Sequence, residues 1–449
     1  MKLLLIYPPF CTPTTLPYSL VSLKHFLKTY LDLEVNLLDL NAEFHKRRFA
    51  KYYQAIKESK TKEDYAEIFT NFDKESREVY AKNNRAVLQG KDPEYFQEIF
   101  SLIKTEDYDM IACSLVYNSQ CFYATGILKE LHKKGITCIL GGPAAKGKVL
   151  EYGKLLKDEH EILKFFTEKG IKTKQGDFYA SSNPLDFFDC KEENYLSKER
   201  ILPIKTSSTC FYKQCTFCTH FAKVPYKEYE IAWLENTLKQ NSAKYVFLID
   251  DMLSKERLLA FAEICKALKV QWACQLRPTS DLLGISKKLY AGGLHSVSWG
   301  VESGSQRILD LMKKGTDIEK VPQVLKESHD TGIQNILYIM FAFPTETKEE
   351  FMETINFLEK NQENIDLVCT SIFGLQHGAK AYESPEEYGI IEIKEKQRTV
   401  LEGSITYKIK QGITNKEARI LQKKVQNRID KINKIPKVFK CSREQVLLY

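Results

Sequence analysis

Short apolar runs alternate with amphipathic stretches along this chain, in two series separated by a less regular span. "KLLLIYPP" (2–9) is an apolar run of strand length ended by two prolines, as a buried parallel strand would be. "PYSLVSLKHFLKTY" then places Leu20, Leu23, Leu27 and Tyr30 at helical spacing, and "LEVNLLDLNA" returns to strand character. That is one βαβ unit. Residues 43–105 are charged and tyrosine-rich and read as a helical insertion; "YDMIACSLVY", the helical "QCFYATGILKELHKKG" and the strand "ITCILGGPAA" resume the alternation. The pattern predicts a doubly wound, Rossmann-like parallel sheet over residues 1–165. Its ligand crevice should lie at the carboxyl ends of the strands, at residues 7–12, 114–118 and 141–143. No Gly-x-Gly-x-x-Gly occurs, which argues against a bound dinucleotide. Residues 151–205 read as irregular, with 166–200 a linker in which Cys190 has no assigned role.

The second series is longer. "ILPIKTSSTC" opens it, and "KYVFLIDD", "VQWACQLRP", "HSVSWGVES", "NILYIMFAFP" and "IDLVCTSIFGL" follow, each after a helical segment. Six βα repeats over residues 201–390 predict a partial (β/α)6 TIM-like barrel with its site at the carboxyl ends of the strands. Asp250, Asp251, Gln275, Arg277, Glu302, Ser303, Thr345 and Glu346 all fall at such ends. Residues 391–449 read as a small, basic, helical carboxyl-terminal region.

Composition narrows the class. At 449 residues two or three domains are expected, and 43% hydrophobic with 12% aromatic residues is enough to build their cores. No apolar run approaches the roughly 18 residues that span a bilayer, and the opening strand is too short for a secretory signal, so a cytoplasmic protein without membrane contact is expected. Twelve irregularly spaced cysteines point to reduced thiols and one metal cluster rather than a disulfide framework. Beyond Gly389, 15 Lys or Arg stand against 6 Asp or Glu. A solvated helical face is the expectation there, and nucleic acid is not an expected partner, because no base-stacking platform accompanies the charge.

The chemistry concentrates in "STCFYKQCTFCTH" (208–220). Cys210, Cys215 and Cys218 with His220 could form a Cys3His zinc site, although zinc sites usually separate two knuckles by a dozen residues. Three cysteines without a fourth leave one iron of a 4Fe-4S cluster open to an external ligand. The position of the loop, straight after the first barrel strand, favours iron–sulfur; His220 is then a bystander.

With these residues in view, the chain resembles the radical S-adenosylmethionine enzymes. "CFYKQCTFC" is similar to their cluster loop, with four residues rather than the commoner three between the first two cysteines (CX4CX2C) and an aromatic residue, Phe217, before the third. "GVESGSQRILDLMKKGT" resembles the family's fourth-strand signature. "FAFPTETKEEFMETINFL" resembles its fifth-strand segment, with Ala342 and Thr345 standing where glycines are usual, and "SSTC" replaces "SRGC". The amino-terminal sheet with "DLNAE" and "ILGGP", together with "AYESPEEYGI" near the end, resembles the subclass that carries a cobalamin-binding domain ahead of the barrel. No Asp-x-His-x-x-Gly is present, so no histidine would serve as lower cobalt ligand.

The resemblance implies a 4Fe-4S cluster on Cys210, Cys215 and Cys218, S-adenosylmethionine on its open iron, and a 5'-deoxyadenosyl radical as product of the cleavage. It places Phe217 near the adenine, Asp250 or Asp251 at the amino group, Arg277 at the carboxylate, and Glu302 with Ser303 at the ribose hydroxyls. For the corrin it implies contacts from Pro8, Pro9, Thr12, Tyr117, Asn118 and Gly142. The implied reaction is methylation of an unactivated carbon in a small-molecule or peptide substrate, fed by a donor such as flavodoxin or ferredoxin. Cyclisation, rearrangement or oxidation is the alternative, and a zinc-held interaction protein the distant one.

Overall fold

A computed structural model describes residues 1–219 and 224–449. They divide into two compact units: residues 1–200 with 232–242 and 397–404, and residues 201–231, 243–396 and 405–449.

The first unit runs β1 (Lys2–Ile6), α1 (Tyr18–Tyr30), β2 (Glu34–Leu38), then the insertion as α2 (Leu40–Arg48), α3 (Ala50–Glu58), α4 (Lys62–Leu88) and α5 (Phe96–Ser101). β3 (Met110–Ser114), α6 (Gln120–Lys133), β4 (Cys138–Gly141), β5 (Lys154–Leu155) and α7 (Glu159–Glu168) follow. The sheet order is β2-β1-β3-β4-β5, parallel throughout. The chain reverses its winding between β1 and β3, so the crevice of this unit opens at their carboxyl ends. Every residue of β3 and all but the first of β1 are buried, which accounts for their unbroken apolar runs. The insertion is helical as expected. α4 begins with a capping box in which Thr61 and Asp64 exchange bonds of 3.0 Å, a device that contributes about 1 kcal/mol. Its Tyr80 stacks on Phe10 at 4.4 Å, so the insertion supplies part of the core beside β1.

Residues 151–205 are less irregular than their composition suggests. β5 adds a fifth strand, and α7 forms over "EHEILKFFTE", capped by the Asp158 carboxylate on the Glu161 N–H at 2.9 Å. Phe165 and Phe166 of α7 pack with Leu3, Leu5, Leu20 and Leu27. Burial of such side chains contributes about 1.5–3 kcal/mol each, enough to hold a ten-residue helix that the charged flanks conceal in the sequence.

In the second unit β6 (Ile201–Ile204) leads to the cysteine loop. α8 (Ile231–Gln240) follows, nearly all of it grouped with the first unit. β7 (Tyr245–Leu248), α9 (Lys255–Leu268), β8 (Gln271–Leu276), α10 (Ser286–Ala291), β9 (Leu294–Glu302), α11 (Gln306–Leu311), α12 (Val321–Asp330), β10 (Gln334–Phe341), α13 (Lys348–Lys360) and β11 (Leu367–Ile372) complete the repeats. The six strands lie in sequence order, β11-β10-β9-β8-β7-β6, and the pairs are parallel: the partial barrel predicted above. Beyond α14 (Lys380–Glu383) the expected helical region starts instead as a hairpin, β12 (Ile390–Lys396) and β13 (Ser404–Ile409), before α15 (Asn415–Ile432). Leu447 packs beyond it against Ile201, Phe247 and Ala273 of the barrel strands. No helix of the described residues is long and apolar enough to cross a membrane.

Candidate functional site

The cysteine loop of the second unit is fixed from its first residue. Asp250, just past β7, is buried, and its carboxylate accepts the N–H groups of Thr206 (2.9 and 3.0 Å) and Ser207 (2.9 Å) and the Ser207 hydroxyl (2.8 Å). Burial raises this carboxyl to about 6, and the Thr206 and Ser207 donors oppose the rise. Asp250 is therefore spent on the loop's backbone, and of the two aspartates expected to meet a ligand amino group it is Asp251 that stands half-exposed. Arg257 reinforces the anchor by donating from Nη2 to the Thr206 carbonyl at 2.8 Å.

The far side of the loop is latched to the segment after α11. Thr216 N–H donates to the Met312 carbonyl at 2.9 Å, and the Tyr212 hydroxyl to the Lys313 carbonyl at 2.9 Å. Arg277 stacks 3.8 Å over the Tyr212 ring and donates from Nη1 to the Lys314 carbonyl at 2.7 Å. Cys210, Cys215 and Cys218 are all half-buried. Burial pushes the Cys215 thiol up, with the Lys314 ammonium the first charge opposing it and Cys210 the first adding to it. Among the described residues no three Cys, His, Asp or Glu side chains form a site for a single metal ion. His220, the fourth donor of the zinc alternative, lies outside the described residues.

Glu302 ends β9 in the left-handed region, φ 69°. Against β10 the register steps from Tyr338↔Gly300 to Ile339↔Glu302, a bulge at Val301 that re-aims the strand end. The Glu302 carboxylate meets Lys314 Nζ at 2.8 Å, both side chains largely buried. Lys314 Nζ also lies 5.6 Å from the centre of the Phe217 ring. Ser303 is fully buried and turned toward α13: its hydroxyl lies 3.3 Å from that of Thr354 and accepts the Ser305 N–H at 3.1 Å. The structure thus brings Cys215, Phe217, Arg277 and Glu302 onto one framework, directs Asp250 and Ser303 elsewhere, and adds Lys314, Tyr212 and Arg257. These last three had no distinguishing signal in the sequence; Lys314 sits inside a quoted motif but looks like any surface lysine.

In the first unit the crevice rim is stitched by Gln120. Its Oε1 accepts the N–H groups of Val116 (2.8 Å) and Tyr117 (2.9 Å), and its Nε2 donates to the Pro8 carbonyl (2.9 Å). Pro8 and Pro9 are buried beneath the rim, whereas Thr12 is half-exposed and Tyr117, Asn118 and Gly142 are exposed, Tyr117 to 53%. Gly142 has φ 98°, and a Cβ on it would stand 2.3 Å from the Leu115 carbonyl oxygen. Its glycine is required by the close pass of its own chain, before any ligand is considered. An exposed aromatic with small and polar neighbours suits a broad planar group such as a corrin, and the three cysteines on a doubly anchored loop suit an iron–sulfur cluster.

Comparison with known proteins agrees with this division. Residues 204–358 match the Radical SAM superfamily. An uncharacterised methyltransferase of Pyrococcus horikoshii is 27% identical over 172 residues, 35% of this chain and 36% of that protein, so the alignment takes in little more than a third of the relative. Among solved structures, the cobalamin-dependent S-adenosylmethionine radical enzyme OxsB with aqua-cobalamin bound superposes with a TM-score of 0.64 at 14% identity, over 95% of this chain and 67% of that one. The radical S-adenosylmethionine methyltransferase TsrM from Kitasatospora setae gives 0.62 at 14% identity over 99% and 95%. Residues 204–358 thus carry the likeness to the Radical SAM superfamily, and the chain, with its parallel sheet ahead of them, has the fold of these two solved enzymes.

Proposed function

We propose that this protein is a cobalamin-dependent radical SAM enzyme that methylates an unactivated carbon of a small-molecule or peptide substrate. The observation that carries the reading is the cysteine loop: three half-buried cysteines at a barrel strand end, with the loop anchored by Asp250 on one side and by residues 312–314 on the other. Cys210, Cys215 and Cys218 would hold a 4Fe-4S cluster, which supplies the electron that cleaves S-adenosylmethionine to a 5'-deoxyadenosyl radical. Asp251 would accept from the ligand's ammonium and Arg277 would pair with its carboxylate. Phe217 would cover the adenine, and Glu302 would accept from the ribose. In the first unit Thr12, Tyr117, Asn118 and Gly142 would meet a corrin. The superposition on a structure with cobalamin bound supports that assignment.

Anaerobic reconstitution of the full chain tests the reading. With iron and sulfide the protein should turn brown, retain hydroxocobalamin, and cleave S-adenosylmethionine under dithionite. Cys215→Ala should lose both colour and cleavage. A colourless protein that takes up zinc but no iron sinks the enzyme reading; a brown protein that releases all its corrin leaves a radical enzyme of another reaction class.

A further inference from the structure

Lys314 has no part in the proposal above, yet its placement is costly to build. It is 9% exposed, and burying an ammonium costs several kcal/mol unless a partner offsets it. Three separate features hold it where it is. Glu302, turned by the bulge of β9, meets Nζ at 2.8 Å. Gly300 leaves the room: a Cβ there would fall 2.9 Å from Lys314 Nζ and 3.0 Å from Glu302 Oε1. The backbone is clamped to the cysteine loop, Lys314 by Arg277 and its neighbours Met312 and Lys313 by Thr216 and Tyr212.

We infer that Lys314 is a positioning residue that sets the charge balance of the cysteine loop, raising the reduction potential of an iron–sulfur cluster held by Cys210, Cys215 and Cys218. The inference rests on the iron–sulfur reading of that loop. Three thiolates on a doubly positive core leave one net negative charge. One electron from an external low-potential reductant makes it two, with no bond broken and no proton moved. A fixed cation beside the loop stabilises the more negative state more strongly, so the potential rises. Glu302 moderates the effect by partly neutralising the same ammonium, which couples the strand end to the cluster through Lys314.

The test is an EPR-monitored redox titration of the reconstituted full chain, with dithionite and mediators, on wild type, Lys314→Met, Lys314→Arg and Glu302→Gln. Lys314→Met should move the midpoint to lower potential at unchanged iron content, and Lys314→Arg should restore it toward wild type. Glu302→Gln should move it higher. A plain structural ion pair would alter stability and leave the midpoint alone, so unmoved midpoints in Lys314→Met and Glu302→Gln overturn the inference. Should Lys314→Met fail to fold, an unmoved Glu302→Gln midpoint overturns it by itself. A wild-type protein that takes up no iron overturns the underlying reading and this inference together, whereas a brown wild type with unmoved variants overturns the inference alone.

Discussion

Asp250 and Glu346 are both buried carboxylates of the barrel unit, and their surroundings give them opposite consequences. Asp250 faces several donors, so Asp250→Asn turns an amide N–H2 toward N–H groups and should cost about 2–4 kcal/mol in urea unfolding. The same variant should lower iron retention, because the loop start is released. Glu346 accepts the Ala342 N–H through Oε2, while Oε1 is buried without a hydrogen-bond partner among the described residues. Burial raises its carboxyl from 4.5 to about 8. With the folded value above the unfolded one, the folded chain holds a proton that the unfolded chain releases. That contribution is complete below about pH 4.5 and is lost as pH rises through about 8. Glu346→Gln should flatten the fall in thermal stability across this window; an unchanged slope would assign the proton elsewhere. The cysteines were legible from spacing, since three thiols in nine positions need no fold to be noticed. Lys314 was not, because α11 turns the chain back and brings a residue twelve positions after Glu302 into contact with it.

At the scale of elements, strands buried on both faces announce themselves and half-exposed ones do not. β1, β3 and the barrel strands read directly as apolar runs. β12, "IIEIKEK", places charges on an exposed hairpin and so was absorbed into a basic tail. The bulge of β9 was likewise hidden, because Val301 continues the apolar run and only pairing with β10 exposes the extra residue. The turn after β10 carries strain at two non-glycine residues. Ala342 and Thr345, the residues standing where glycines are usual, have φ of 59° and 74°. A left-handed non-glycine residue costs roughly 1–2 kcal/mol and glycine's extra chain entropy returns part of it. Ala342→Gly should therefore stabilise the protein by about 0.5–1 kcal/mol in denaturant titration. Gly142→Ala should do the reverse by more than about 2 kcal/mol, since the Leu115 carbonyl leaves no room for a Cβ.

Across the whole molecule, two readings of the pattern, a doubly wound sheet and a six-stranded arc, account for most of the chain. What composition could not reveal is which late segments complete which core. Leu447 closes the small cluster of Ile201, Phe247 and Ala273, and Leu447→Ala should cost about 2–4 kcal/mol in urea unfolding. The first unit likewise depends on distant residues. Trp233 of α8 donates to the Asn183 carbonyl at 3.0 Å, and Asn241 bonds Leu185 and Phe187. Val400 accepts the Lys148 N–H at 2.9 Å. During synthesis the amino-terminal unit is therefore unfinished when residue 200 emerges, and its last pieces arrive only with residues 397–404. At a ribosomal pace of 5–20 residues per second that wait is roughly 10–40 s. For that interval the nascent unit lacks its late-arriving contacts, so its yield in a cell is set by protection during translation as well as by the stability of the finished fold.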